Sequence, residues 1–238
     1  MTSTRNKRKM PDDGQQQASK RTKLQYTDAF TVLVGAEEEK FIVHASIATK
    51  HSKFFQAACN GGFKEAEEKT IRLPETTPAT FRAYLQWAYS GSVVMVDEEE
   101  LKADVTGAES RWRLTKLYVL ANFLANTPLQ NNVIDEYVGS LLSNAKYGTG
   151  PRCLKLAYEH TPTGSSLRRL FVEDWRITIR RGKNVKWFQV HRDEIPVEFQ
   201  GDLIIALVAI PEPVEKGFAL MRPCKYHEHN DEYPQCKA

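Results

Sequence analysis

Near its C-terminus the chain holds two cysteines and two histidines within thirteen residues, in the order Cys224-x2-His227-x-His229-x6-Cys236. Two thiolates and two imidazoles make up the donor set of a tetrahedral zinc ion. Four protein ligands leave no open position for water, so a zinc held there would be structural rather than catalytic. The spacing is not that of a standard zinc finger. Two histidines one residue apart can share a metal only where the chain is extended or turning. Glu228, Asp231 and Glu232 would add negative charge beside the site. The competing reading is an ordinary polar tail carrying a redox-labile pair of thiols.

Elsewhere the chain offers little chemistry. It has no Gly-rich phosphate loop, no Gly-x-Ser-x-Gly elbow and no His-Glu-x-x-His. Cys59 follows Ala57 and Ala58 on an apolar helix face and reads as core, not nucleophile. His51 reads as a packed or rim residue of the same helix. No residue is assigned to catalysis or to an organic cofactor, and the chain is read as a non-enzyme. Arg176, Arg180, Arg181, Lys183 and Lys186, interleaved with Trp175, Trp187 and Phe188, have the composition of a nucleic-acid surface. They carry no recognisable base-reading motif, and residues 176–187 are expected to form a solvated basic loop on a helical bundle.

The 238 residues suffice for one domain with a smaller companion and a real core. Hydrophobic residues at 41% and charged residues at 26% are ordinary for a globular protein. A net charge of +3 gives no whole-molecule pull toward nucleic acid or membrane. Four scattered cysteines do not make a disulfide framework and point to a reducing compartment. The longest apolar run, Leu203 to Ile210, is too short to span a bilayer, and no secretory signal opens the chain. A soluble intracellular protein is expected. Residues 1–25 contain almost nothing to bury and are expected to be disordered. Within them Lys7-Arg8-Lys9 and Lys20, Arg21 and Lys23 form two basic clusters ten residues apart. That spacing fits a bipartite nuclear-import signal and a nuclear or nucleocytoplasmic protein.

The elements that must position these groups begin at Asp28. Phe30, Val32 and Val34 alternate as on a strand, and Phe41-Ile42-Val43 returns after an acidic turn as its hairpin partner. Ile47, His51, Phe54, Phe55 and Ala58 fall at helical spacing on a single helix ended by Asn60-Gly61-Gly62. Ile71-Arg72-Leu73 is a third strand. Thr77-Pro78 opens a helix stopped by Gly91, with Phe81, Tyr84, Leu85 and Ala88 on its apolar face. After Glu98-Glu99-Glu100 the sequence becomes helical throughout. Helices are expected around Leu114–Leu124, from Thr127-Pro128 through Leu141, and for about two turns after Gly150-Pro151. A further one is capped by Ser165 or Ser166, and the last runs over 197–209.

The order strand–strand–helix–strand–helix, carried on Asp28, Phe30, Phe41, His44, Ser52, Phe54, Phe55, Phe63, Glu65, Ile71, Phe81, Leu85, Tyr89 and Gly91, resembles the BTB/POZ family. His160-Thr161-Pro162-Thr163-Gly164-Ser165-Ser166 is similar to a segment of fungal single-BTB proteins, which also share a Cys/His-rich ending. The resemblance implies an α+β fold: a BTB/POZ domain over 26–96, a helical extension over 97–210 and a Cys/His-containing tail over 211–238. It also implies work by protein–protein binding, through self-association, a cullin-3 ubiquitin ligase or transcriptional corepressors. Phe63-Lys64-Glu65 matches the hydrophobic-x-glutamate pattern of cullin-3 adaptors, with Phe63 as apolar anchor and Glu65 as orienting charge. Corepressor-binding relatives carry a lysine after the histidine matching His44. Here Ala45 stands there, which argues against that partner, and Asp28 and His44 are read as structural, with Asp28 accepting backbone or imidazole hydrogen bonds. The strand and helix that swap between the subunits of zinc-finger BTB dimers have no counterpart ahead of Asp28. A nuclear nucleic-acid-associated factor using the BTB domain to oligomerise is the alternative.

Overall fold

A computed structural model describes residues 28–60, 69–94, 107–143, 148–183, 185–209, 222–230, 232–234 and 236. Three strands form a small sheet in the order β2-β1-β3: β1 Ala29–Val34, β2 Glu39–His44 and β3 Thr70–Leu73. β1 is antiparallel to β2, with Val32 opposite Phe41, and parallel to β3, with Val32 opposite Ile71. Phe30, Val32 and Val34 are buried while the residues between them are half-exposed, so the period-2 reading of β1 holds. Gly35, at φ +78°, makes the hairpin turn possible, since that region is costly for a residue with a Cβ.

The expected single helix after β2 is two. α1 (Ala45–Ala48) is one turn, and α2 (Lys53–Asn60) starts afresh. The break is made by Ser52. Its buried hydroxyl accepts the Phe55 N–H at 3.2 Å and donates to the Leu124 carbonyl at 2.7 Å. A serine that caps α2 ends the helical register begun at Ala45, which apolar spacing alone does not reveal. Ser52→Ala removes a cap and the shorter of two hydrogen bonds to the Leu124 carbonyl, 72 residues away in sequence, leaving it the Phe54 N–H at 3.4 Å. A loss of about 1–3 kcal/mol in urea unfolding is expected, without change of fold.

α3 (Pro78–Ser90) follows the sequence closely. The Thr77 side chain accepts the Thr80 N–H, Pro78 sits in the first turn, and Gly91 closes the helix at φ +78°. α4 (Ala108–Phe123) and α5 (Thr127–Ser143) are joined by a tight turn, in which the buried Asn126 caps α5 by accepting the Leu129 N–H at 3.0 Å. α6 (Pro151–His160) runs nearly three turns. α7 (Ser166–Arg180) is capped by Ser165, whose hydroxyl accepts the Arg168 N–H. α8 (Val185–His191) and α9 (Val197–Ala209) complete the helices, and Pro223–Tyr226 forms a 3₁₀ turn.

The expectation of a basic loop over 176–187 is corrected. α7 continues through Arg180, with Arg176, Ile177 and Thr178 buried in it. Arg176 forms a two-pronged ion pair with Glu173, 2.7 Å at each prong, which lets a guanidinium enter the interior. Charged residues at core positions hide the amphipathic pattern from a hydrophobicity reading.

The apolar core is continuous. It runs from Phe30 and Val32 in the sheet through Phe81 and Tyr84 of α3 to Tyr118 of α4 and Tyr137 of α5, ending on Trp175 of α7 and Phe199 of α9. The Trp87 indole donates to Asn132 Oδ1 at 2.8 Å and ties α3 to α5. The helical extension and the sheet region therefore share one hydrophobic interior. No described helix is long and apolar enough to cross a membrane.

Candidate functional site

Cys224, His227, His229 and Cys236 converge. Their candidate ligand atoms all lie within 4.8 Å of one another. Cys224 lies on the 3₁₀ turn, whose hydrogen bond from His227 N–H to Cys224 O, 3.2 Å, brings the two ligands together. His227 leaves that turn with φ −78° and ψ 148°, an extended conformation. Extended backbone sends alternate side chains to the same side, so His227 and His229 face one way and Glu228 the other. Cys236 returns through a turn built on Asn230, whose Oδ1 accepts the N–H groups of Glu232 (3.0 Å) and Tyr233 (2.8 Å). The closest thiol–imidazole pairs are Cys224 Sγ to His229 Nε2, 3.5 Å, and Cys236 Sγ to His227 Nδ1, 3.2 Å. The neighbouring Cys224 thiol, and a smaller effect of burial, push the Cys236 thiol above its ordinary range.

The segment is anchored on its other side. His227 Nε2 lies 2.9 Å from Asp135 Oδ1 on α5. One turn earlier on α5, Asn131 accepts the Glu228 N–H at 2.8 Å and donates to the Glu228 carbonyl at 3.1 Å. The Glu228 carboxylate accepts from Ser166 N (3.1 Å) and Ser166 Oγ (2.5 Å) at the start of α7. A carboxylate at a helix N-terminus satisfies amide donors that the helix itself leaves open. Tyr226 is buried beside these groups. The sequence marked Glu228 only as negative charge beside the site, and marked neither Asp135 nor Asn131 as a support. Asp135 sits in mid-helix, and no local motif links it to a segment 92 residues later.

The remaining assigned residues lie in or near the sheet. The Asp28 carbonyl accepts the Ala45 N–H at 2.9 Å, while its exposed carboxylate pairs with Lys69 Nζ at 3.3 Å instead of taking the expected backbone or imidazole hydrogen bonds. His44 Nδ1 meets the Tyr89 hydroxyl at 2.7 Å, linking the end of β2 to the end of α3. A shallow cleft here is lined by Asp28, Ala58, Cys59 and Lys69. Partial burial, then Asp28, push the Cys59 thiol up, away from the thiolate that a nucleophile requires. His51 packs its ring against Trp87, and partial burial lowers its affinity for a proton. Phe63 and Glu65 lie outside the described residues, as do Lys7, Arg8, Lys9, Lys20, Arg21 and Lys23. On the described surface, α2 and α4 meet at an aromatic pair. Phe54 and Phe123 have ring centroids 4.9 Å apart, and Phe123 is 56% exposed.

The nucleic-acid reading loses two of its cations to these contacts. Arg176 is held by Glu173, and Arg180 donates to the Leu207 carbonyl at 2.8 Å.

The three-stranded sheet, the capped helices around it and the residues that carry them match the family model of the BTB/POZ domain over residues 17–124. This stretch is a BTB/POZ domain. The match extends past α3 and takes in α4, whose end supplies the Leu124 carbonyl that Ser52 holds. BTB/POZ domains are protein–protein interaction modules, and protein binding is what this domain contributes. No match was found among curated proteins.

Proposed function

We propose that the protein is an adaptor that docks onto cullin-3 through its BTB/POZ domain, with Phe63 as the apolar anchor and Glu65 as the charge that fixes its orientation. The observation that carries this reading is the Phe63-Lys64-Glu65 sequence directly after α2 within the BTB/POZ domain. Phe63 is an aromatic residue of the type that dominates binding energy when it fills a partner's pocket, and a flanking carboxylate gives register more than affinity. The exposed Phe123 beside Phe54 adds a second aromatic contact where α2 meets α4. Ala45 after His44 leaves the domain without the lysine that corepressor-binding relatives place there, which supports a ligase partner over a corepressor.

Affinity purification of the tagged full chain, with cullin-3 detected in the eluate, tests the reading. Wild-type protein is expected to retain cullin-3, and Phe63→Ala to lose most of it. Retention undiminished in the Phe63→Ala, Glu65→Ala double variant would remove those residues from the interface.

A further inference from the structure

We propose that Cys224, His227, His229 and Cys236 bind one structural zinc ion, and that this metal clasps the C-terminal segment across α5 and α7, with Asp135 orienting His227. Zinc bond lengths of about 2.3 Å to sulfur and 2.0–2.1 Å to nitrogen put tetrahedral sulfur–nitrogen edges near 3.6 Å. The two closest such edges here are 3.5 Å and 3.2 Å, near that value, and all four candidate ligand atoms lie within 4.8 Å of one another. Two soft thiolates with two imidazoles favour zinc over the hard cations magnesium and calcium.

Three observations besides the cluster point to a metal. His227 presents Nδ1 to the thiols and Nε2 to Asp135, the carboxylate–histidine arrangement by which proteins fix the tautomer and ring plane of a metal-ligating imidazole. His229 turns Nε2 to Cys224, while its Nδ1 is buried with no hydrogen-bond partner among the described residues. A hydrogen bond to sulfur is weak, and a bond to zinc would replace it at the same nitrogen, Nε2. Finally, the segment's opposite side is fully engaged. Glu228 ties it to Asn131 and to the start of α7, so the ligands hang from a fixed backbone instead of a free tail. A closed four-ligand set stabilises and does not catalyse. Its role is to hold the tail against the helical region, next to the shared core.

The test uses the full chain purified without chelator. Elemental analysis is expected to find one zinc per chain. Replacement by cobalt(II) should give the visible absorption of tetrahedral sulfur–nitrogen coordination. Cys236→Ser alters only an exposed side chain, so the fold should survive while the zinc stoichiometry falls toward zero. Asp135→Asn should keep the ion but weaken its affinity by roughly 10–100-fold, as expected for loss of a carboxylate partner. Chelation should lower the melting temperature of wild type and leave that of Cys236→Ser unchanged. The proposal is overturned by a chain that takes up neither zinc nor cobalt after loading, or by metal content unaffected by Cys236→Ser. A Cys224–Cys236 disulfide recovered from metal-free protein would likewise replace it with a redox pair.

Discussion

Arg168→Ala is expected to destabilise the protein by about 3–5 kcal/mol in chemical denaturation, among the largest effects of any single substitution. Arg168 lies on the first turn of α7 with its side chain 7% exposed. Its Nη2 donates to the Tyr158 carbonyl at 2.6 Å and to the Thr161 carbonyl, and its Nε donates to Thr161 Oγ1 at 3.2 Å. The guanidinium also stacks over the Tyr158 ring, 4.3 Å from its centroid. These acceptors sit at the C-terminal end of α6, where carbonyls lack partners within the helix and a cation is favoured. The pairing with Glu198 at 3.1 Å contributes little by comparison, because that carboxylate is 72% exposed and screened by water. Truncation to alanine would leave three acceptors without their donor. Arg168→Lys should recover only a small part, since an ammonium cannot reproduce the planar fork. Near-wild-type stability of Arg168→Ala would refute this account of how α6 is joined to α7.

Asp174→Asn is expected to remove a pH dependence that runs opposite to the usual carboxylate case. Asp174 is completely buried on α7, with Oδ2 accepting the Thr149 N–H at 2.7 Å. Burial favours the neutral acid and pushes its carboxyl from 3.8 up to about 6, against smaller opposing effects from the Thr149 hydrogen bonds and Arg111. The folded state therefore holds more protons than the unfolded chain between those two values. This group's contribution is most favourable below pH 4 and is lost as the pH rises through 6, by on the order of 3 kcal/mol. The asparagine amide keeps an oxygen for Thr149 and cannot ionise. Denaturant unfolding at pH 4, 5, 6 and 7 should show variant minus wild-type stability rising by that amount. A difference that stays flat across the series would mean Asp174 titrates normally.

Most of the sheet and α3 could be read directly from the chain because their determinants are local. Alternation in Phe30-Thr31-Val32-Leu33-Val34, the Thr77-Pro78 start and the Gly91 stop each specify an element within a few residues. The bounds of α9 were equally legible, 197–209 in both readings. What local pattern cannot convey is which polar residues reach across the fold. Ser52 looks like one more polar position on a helix until Leu124 comes to meet it. Arg176 looks like a surface cation until Glu173 is seen to neutralise it inside the bundle. The Cys/His spacing was visible, and the structure brings the four side chains together. Their support from Asp135 and Glu228 depends on the packing of α5 and α7, which no stretch of neighbouring residues encodes. Phe63 and Glu65 were marked by resemblance and lie outside the described residues.

The most direct test of the adaptor reading is a binding titration of purified full-length protein against the N-terminal region of cullin-3, with wild type and Phe63→Ala measured side by side. Saturable binding is predicted for wild type, weakened by roughly 30-fold or more in the variant, the ~2 kcal/mol cost of removing a hot-spot aromatic. No saturable binding by folded wild-type protein, or equal affinities for the two, would contradict the assignment.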